Sequence, residues 1–143
     1  MSTLVANTSC VALGGSHEQR AVLIEGPPGS GKSSLALALI ARGAVLIGDD
    51  GVLLVKREQR LWAAPPPNIA GLIEIRNVGL ATLPTCSAPL ALVIRLDEAA
   101  PRFIEAAQRV ERAGHLVPAV ALYPASSALP LRAEFALKMH GLA

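Results

Sequence analysis

Gly26-Pro27-Pro28-Gly29-Ser30-Gly31-Lys32-Ser33 is the stretch that decides the fold. It has the form G-x-x-x-x-G-K-S, the pattern of a phosphate-binding loop. The apolar run 21–25 precedes it and predicts a buried strand, and the run 34–41, rich in Leu and Ala, predicts a helix after it. Strand, glycine-rich loop and helix, in this order, are the context in which the pattern binds phosphate. The sequence therefore predicts an α/β fold with a nucleotide-binding loop.

The residue types of the loop match the chemistry of a bound triphosphate. Glycines allow successive backbone N–H groups to point at phosphate oxygens, and the helix N-terminus adds a positive dipole end. Lys32 supplies a cation for the β- and γ-phosphates, and Ser33 offers a hydroxyl to Mg²⁺. The predicted nucleotide-binding residues are Gly26, Pro27, Pro28, Gly29, Ser30, Gly31, Lys32, Ser33 and Ser34.

Composition narrows the class of protein further. The length of 143 residues predicts a single domain over 1–143, and 52% hydrophobic with 17% charged residues indicates a well-packed core. A net charge of +2 without a Lys/Arg block, and few aromatic residues, argue against a nucleic-acid partner. No apolar run has the length of a membrane helix and the N-terminus does not resemble a signal peptide, so we expect no membrane partner and a cytoplasmic location. Cys10 and Cys86 lack C-x-x-C spacing and are expected to be buried thiols.

Hydrophobic patterns predict the remaining elements. Strands are expected at 8–13, 44–47, 52–57, 61–64, 90–96 and 117–123, and 1–7 is expected to be a lead-in without regular structure. Helical spacing of apolar residues, with Gly114 as a stop, predicts a helix over 103–112. A last helix is expected to begin after Ser127 as N-cap, with Pro130 in its first turn, and to bury Leu131, Phe135 and Met139.

Two pairs of charged residues are candidates for chemistry. Asp49 and Asp50 follow the strand 44–47, and ligands bind at the carboxyl ends of strands in open α/β sheets. One carboxylate there can hold Mg²⁺ and the other can accept the proton of an attacking hydroxyl. Glu74 and Arg76 interrupt the apolar run 69–80, where charges are costly unless partnered, and we favour a site role over a structural salt bridge. His17, in the polar turn 14–20, is expected to be solvated.

Three segments occur in a characteristic order: the phosphate-binding loop, Gly48-Asp49-Asp50-Gly51-Val52 and Gly71-Leu72-Ile73-Glu74-Ile75-Arg76-Asn77-Val78-Gly79-Leu80. Together they resemble the catalytic domain of HPr kinase/phosphorylase, and more closely its short alphaproteobacterial form. The resemblance covers about residues 8–123. It implies a fold similar to the nucleotide domain of phosphoenolpyruvate carboxykinase, with a mixed sheet and flanking helices.

The resemblance also implies an activity and roles for residues. It implies an ATP- and Mg²⁺-dependent kinase that phosphorylates a serine of HPr, a carrier of the sugar phosphotransferase system, and that often forms homo-oligomers. Gly31, Lys32 and Ser33 are then expected to hold the triphosphate and Mg²⁺. The catalytic residues implied are Asp49 as the base, Lys32 and Arg76, and the metal environment implied is Ser33, Asp50 and Glu74.

The sequence departs from the family pattern in three places. Asn7 stands where the family has a histidine that assists the aspartate, and Asn77 stands where glycine is usual, although Asn also adopts left-handed backbone. The family's Pro-Gly-Arg-Asn loop, implicated in dephosphorylation, corresponds to Tyr123-Pro124-Ala125-Ser126-Ser127, which has no arginine. We therefore expect weak or absent phosphorylase activity.

Two other functions stay open at this point. A kinase of a small molecule would use the same Lys32 and Asp49 on a different acceptor. A nucleotide-binding regulator without turnover is the other alternative, and it is motivated by Asn7.

Overall fold

The computed structural model describes residues 2–14 and 18–143, and in that part the chain forms a mixed α/β fold of eleven strands and two helices. The elements in chain order are β1 (Ser2–Ala6), β2 (Ser9–Leu13), β3 (Arg20–Glu25), α1 (Lys32–Ala41), β4 (Val45–Gly48), β5 (Gly51–Arg57), β6 (Arg60–Ala64), β7 (Leu72–Ile75), β8 (Gly79–Thr82), β9 (Ala88–Leu96), β10 (Gln108–Arg112), β11 (His115–Leu122) and α2 (Leu129–His140).

The main sheet is parallel at its centre and antiparallel elsewhere. Its order is β1-β5-β6-β9-β3-β2-β4, and β11 pairs with β9 on a branch that also carries β10. Strand β9 runs parallel to both β3 and β11, whereas β2 runs antiparallel to β3 and β4. Since β3, β9 and β11 point the same way, their carboxyl ends open at one edge of the sheet. The phosphate-binding loop leaves β3 at that edge.

The sheet buries both of its faces. Along β3, Val22 and Ile24 lie in a cluster with the apolar residues of α1 and α2, whereas Ala21 and Leu23 lie in a second cluster with β5 and β6. The alternation follows from the two-residue period of a strand. Helices therefore cover one face, and the antiparallel part of the sheet curls over the other.

The strand predictions hold with shifts of at most two residues at their ends, but the predicted lead-in over 1–7 is wrong. Residues Ser2–Ala6 form β1, which pairs antiparallel with β5 along the edge of the sheet. Its side chains are mostly exposed, so the segment has little hydrophobic patterning for sequence analysis to detect. The pairing with β5 is a tertiary contact.

The predicted helix over 103–112 is also wrong. Residues 108–112 form β10, which pairs with β11 through a two-residue turn at Ala113 and Gly114. Both turn residues have positive φ, 49° and 81°, which suits the twist of a tight hairpin. Gly114 therefore closes a hairpin instead of ending a helix.

The last helix is present, but it buries a different face from the one predicted. The buried residues are Leu129, Ala133, Ala136 and Leu137, while the predicted stripe of Leu131, Phe135 and Met139 is exposed. The N-cap is Ala128 instead of Ser127, and the Ser126 hydroxyl accepts a hydrogen bond from the Ala128 N–H at 3.1 Å. The prediction assigned the buried face to the largest apolar residues, whereas small alanines pack against the sheet here. Pro130 in the first turn and the end at Gly141 agree with the prediction.

Neither helix of the described part is long and apolar enough to cross a membrane.

Candidate active site

The phosphate-binding loop is shaped by its glycines. Gly31 has a φ of 99° and is the N-cap of α1, and a side chain at Gly26 would approach the Ser30 hydroxyl to 2.5 Å. The Ser30 N–H donates to the Pro27 carbonyl at 3.1 Å, which closes the turn. The left-handed conformation is strained for residues with a side chain. The predicted loop residues thus lie where β3 meets α1.

Lys32 folds back over this loop. Its Nζ donates to the carbonyl of Gly26 at 2.8 Å and to that of Pro27 at 3.2 Å. The ammonium group is thereby held next to the backbone N–H groups that phosphate oxygens would bind. This is the position from which a lysine can reach the outer phosphates of a nucleotide.

Asp49 lies at the floor of the site. Its Oδ1 accepts hydrogen bonds from the Ser33 hydroxyl at 2.7 Å and from the Ser9 hydroxyl at 2.8 Å, and its side chain is largely buried. Ser9 is 1% exposed and was not identified from the sequence. Its only signal is a hydroxyl at the start of the apolar strand β2, which pairs with both β3 and β4. Two short hydrogen bonds hold the Asp49 carboxylate in one orientation.

Asp50 has a different environment from Asp49. It is exposed, has a φ of 58°, and its carbonyl accepts a hydrogen bond from the Asn7 N–H at 3.2 Å. The left-handed backbone turns the chain sharply after β4. The two adjacent carboxylates therefore differ, since one is locked in the floor and the other faces solvent.

Glu74 and Arg76 come from the hairpin formed by β7 and β8. Glu74 lies on β7, but β7 ends at Ile75, so Arg76 belongs to the turn and the two residues do not share a strand face as predicted. Both side chains are exposed, and neither makes an ion pair with any described residue. Asn77 in the same turn has a φ of 68°, the left-handed conformation expected for it.

These residues line two cavities. One of about 380 Å³ is lined by residues of the floor and hairpin, including Ser33, Asp49, Asp50 and Glu74. The other, about 560 Å³, is lined by Asn7, Gly26, Pro28, Gly29, Gly31, Lys32, Ser33, Ser34, Asp50, Glu74 and Arg76. The structure thus brings together the predicted site residues from three separate segments, with Pro27 and Ser30 on the opposite side of the loop.

The donor set fits a magnesium ion that is shared with phosphate. Within the described residues there is no cluster of three His, Cys, Asp or Glu side chains that could hold a metal by themselves. Mg²⁺ typically binds one or two protein oxygens and completes its coordination with phosphate oxygens and water. The Ser33 hydroxyl and the Asp49 carboxylate, 2.7 Å apart, are such oxygens.

A charged pair at the base of the loop was missed by sequence analysis. Glu25, the residue before Gly26, accepts two hydrogen bonds from Arg112 of β10, at 2.6 and 2.8 Å. The hydrogen bond to Glu25 raises the pKa of the Arg112 guanidinium, against the opposing effect of burial. Arg95 approaches the same carboxylate at 3.9 Å. Because 87 residues separate Glu25 from Arg112, no local pattern could have indicated the pair.

The prediction for His17 lies outside the described residues.

Comparison with known proteins agrees with the geometry. Residues 18–112 match the family model of the HPr Serine kinase C-terminal domain. Over 60 residues the chain is 47% identical to the HPr kinase/phosphorylase of Streptococcus thermophilus and 45% identical to that of Streptococcus mutans. Each alignment covers 41% of this chain and 19% of the relative, so the chain matches about a fifth of the length of these curated relatives.

A solved structure is similar over nearly the whole chain. The structure of the Hpr(Ser) kinase/phosphatase from Coxiella burnetii aligns with a TM-score of 0.74 at 25% identity. The alignment covers 96% of this chain and 92% of that chain. The mixed sheet with few helices is therefore a fold that this chain shares with that protein.

Proposed function

We propose that this chain, which belongs to the HPr serine kinase C-terminal domain family, transfers the γ-phosphoryl group of ATP to a seryl hydroxyl of HPr. The observation that carries the proposal is the cavity in which Lys32, Ser33 and Asp50 meet at the phosphate-binding loop. A phosphoryl transferase needs a cation for the outer phosphates, a metal-binding oxygen and a base near the acceptor. We place the reaction in the cytoplasm, where HPr works with the sugar phosphotransferase system.

Lys32 and the loop backbone bind the triphosphate in this proposal. The Lys32 ammonium exchanges its contacts with the Gly26 and Pro27 carbonyls for phosphate oxygens. Ser33 and Asp49 would hold Mg²⁺, which would supply positive charge to neutralise the bound phosphates. Since Asp49 is already fixed by Ser9 and Ser33, its oxygen is preorganised for that role.

Asp50 is the better-placed base for the acceptor. An acceptor hydroxyl must give its proton to a carboxylate while its oxygen bonds to the γ-phosphorus and the bond to ADP breaks. Asp50 is exposed on both cavities, while the Oδ1 of Asp49 is occupied by two hydroxyl donors. We therefore propose the reverse of the assignment that the family resemblance suggests: Asp50 acts as the base and Asp49 belongs to the metal environment.

The reverse reaction has less support. The segment 123–127 contains no arginine, and Pro124 and Ala125 of this segment line a cavity together with residues of the phosphate-binding loop. Without a guanidinium from this segment, orthophosphate has one fewer charged donor to hold it for attack on the phosphoserine. We propose that phosphorylase activity is weak, and measurable phosphate-dependent release from seryl-phosphorylated HPr would contradict this.

The test uses γ-labelled ATP, Mg²⁺ and HPr with the wild type, Asp49→Asn, Asp50→Asn and, as a control, Glu105→Gln at an exposed residue outside the site. We expect Asp50→Asn to bind ATP normally and to transfer label about 10²-fold or more slowly, the loss typical of a missing general base. Asp49→Asn should weaken Mg²⁺-dependent ATP binding about tenfold or more. The control should match the wild type.

Other results would identify the alternatives. If Asp50→Asn transferred label normally, and Asp49→Asn bound ATP but transferred no label, Asp49 would be the base. ATP binding by the wild type without label on HPr would favour a nucleotide-binding regulator, for which Asn7 on the cavity is the specific observation. Label on a small hydroxyl compound instead of HPr would favour a small-molecule kinase.

A further inference from the structure

Three strands, β1, β4 and β10, end the main sheet in the described part of the chain, and their outer edges differ in protection. The edge of β4 is covered, since Leu46 forms a bridge with Thr85 and its carbonyl accepts the Cys86 N–H at 3.2 Å. The edge of β10 carries the exposed charges of Arg109 and Glu111. Charged side chains on an edge strand oppose its pairing with another chain. The edges of β4 and β10 are therefore protected.

The edge of β1 has neither kind of protection. The strand Ser2–Ala6 contains no charged residue and no proline. It pairs with β5 on one side, and no described strand pairs with its other side. Leu4, at its centre, is 62% exposed. An edge strand of this composition presents unpaired N–H and C=O groups on which another strand can align.

The apolar surface continues from β1 onto the outer face of the sheet. Leu4 lies opposite Leu53 of β5. Val55, two residues further along β5, lies opposite Trp62 of β6. Residues opposite each other, and residues two apart on a strand, share one face of a sheet. These four residues form an apolar strip of which Leu4 is exposed and the others are half-buried, whereas the alternate residue Leu54 lies in the core.

The edge of β1 is complementary to itself. In an antiparallel pair of two β1 strands centred on Leu4, Ser2 of one copy lies opposite Ala6 of the other, and the two Leu4 residues meet at a two-fold axis. No charge on either strand opposes this approach. Pairing of five-residue strands alone buries less than the roughly 1,000 Å² of a stable interface, and the apolar strip beside the axis adds contact area.

We propose that this chain forms a two-fold dimer in which β1 of one protomer pairs antiparallel with β1 of a second copy. The main sheet then continues through both protomers. The dimer also supports one wall of the phosphate-side cavity, because Asn7 directly follows β1, lines that cavity and donates its N–H to the Asp50 carbonyl at 3.2 Å. The pairing does not depend on the phosphoryl transfer proposed above.

The test measures the mass of the purified chain by sedimentation equilibrium. Leu4→Lys places two positive charges against each other at the axis. Leu116→Lys is the matched control, since Leu116 is 61% exposed on β11, a strand that pairs with neither β1 nor β5. At about 100 μM we expect the mass of two chains for the wild type and the control, and a dissociation constant about tenfold or more higher for Leu4→Lys.

A mixture of opposite charges tests the axis itself. Leu4→Lys and Leu4→Glu should each dissociate to monomers, because like charges meet at the axis. An equimolar mixture of the two variants should form dimers, since opposite charges then face each other across the paired strands. Recovery of dimers in the mixture also shows that both variants are folded.

Three results would overturn the proposal. The first is a wild type that remains monomeric at this concentration. The second is an oligomer with the same mass in Leu4→Lys as in Leu116→Lys, because it would use another surface. The third is a mixture of Leu4→Lys and Leu4→Glu that stays monomeric, because residue 4 would then not meet its counterpart.

Discussion

The phosphate-binding side of the site, with Lys32 and Asp49, differs from the β7–β8 hairpin in how firmly its charged side chains are fixed. Lys32 and Asp49 each make two hydrogen bonds to their surroundings. Glu74 and Arg76 are exposed and make no ion pair within the described part of the chain. The loop side is therefore preorganised, whereas the hairpin presents charges that are free to meet a substrate.

The largest effect is expected on the preorganised side. Lys32→Met removes the cation over the loop, and we expect phosphoryl transfer to fall about 10²–10³-fold, as when one transition-state donor is lost. Lys56→Met, at an exposed position on β5, is the matched control and should transfer label normally. Equal rates in the two variants would mean that Lys32 does not act on the phosphates.

A change at the base of the loop should alter stability. Arg112→Ala leaves the Glu25 carboxylate without its two short hydrogen bonds, and we expect the free energy of unfolding in urea to fall by about 2 kcal/mol. Arg109→Ala, exposed on the same strand, should stay within about 0.5 kcal/mol of the wild type. Similar losses in both variants would show that Glu25 does not depend on Arg112.

The hairpin should affect turnover more than folding. Arg76→Ala removes a guanidinium from the phosphate-side cavity, and we expect transfer to slow about tenfold with the unfolding midpoint unchanged. Arg102→Ala, exposed and outside both cavities, provides the control. If Arg76→Ala destabilised the chain without slowing transfer, the hairpin charge would be structural.

The smallest effect is expected at Cys10, which is buried on β2 next to Ser9. Burial raises the pKa of the Cys10 thiol, whose ordinary value is 9.0, so the folded chain keeps the proton while the unfolded chain loses it. Stability is then full below pH 9 and falls as the pH rises above it. Between pH 9 and pH 10 the wild type should lose about 1 kcal/mol more than Cys10→Ala in urea unfolding. Parallel losses in the two proteins would contradict this.

Much of the site was predictable because its main residues are close together in the sequence. The loop, the strand before it and the helix after it are contiguous, so the pattern of Gly26 to Ser33 carries the backbone conformation that it needs. Asp49 and Asp50 follow directly from the end of β4. The Arg112–Glu25 pair, Ser9 and the β10–β11 hairpin were missed, because each depends on residues that are distant in sequence or on a turn that resembles a helix stop.

The sequence by itself determined the phosphate-binding loop, the positions of the strands around it and the family, since these rest on residue types at short spacing. Only the tertiary structure decided how the two aspartates differ. Burial and the hydroxyls of Ser9 and Ser33 hold Asp49, while a left-handed turn leaves Asp50 in solvent. The physical reason is that desolvation and hydrogen bonding depend on which strands are neighbours, and β2, β3 and β4 become neighbours only in the folded sheet.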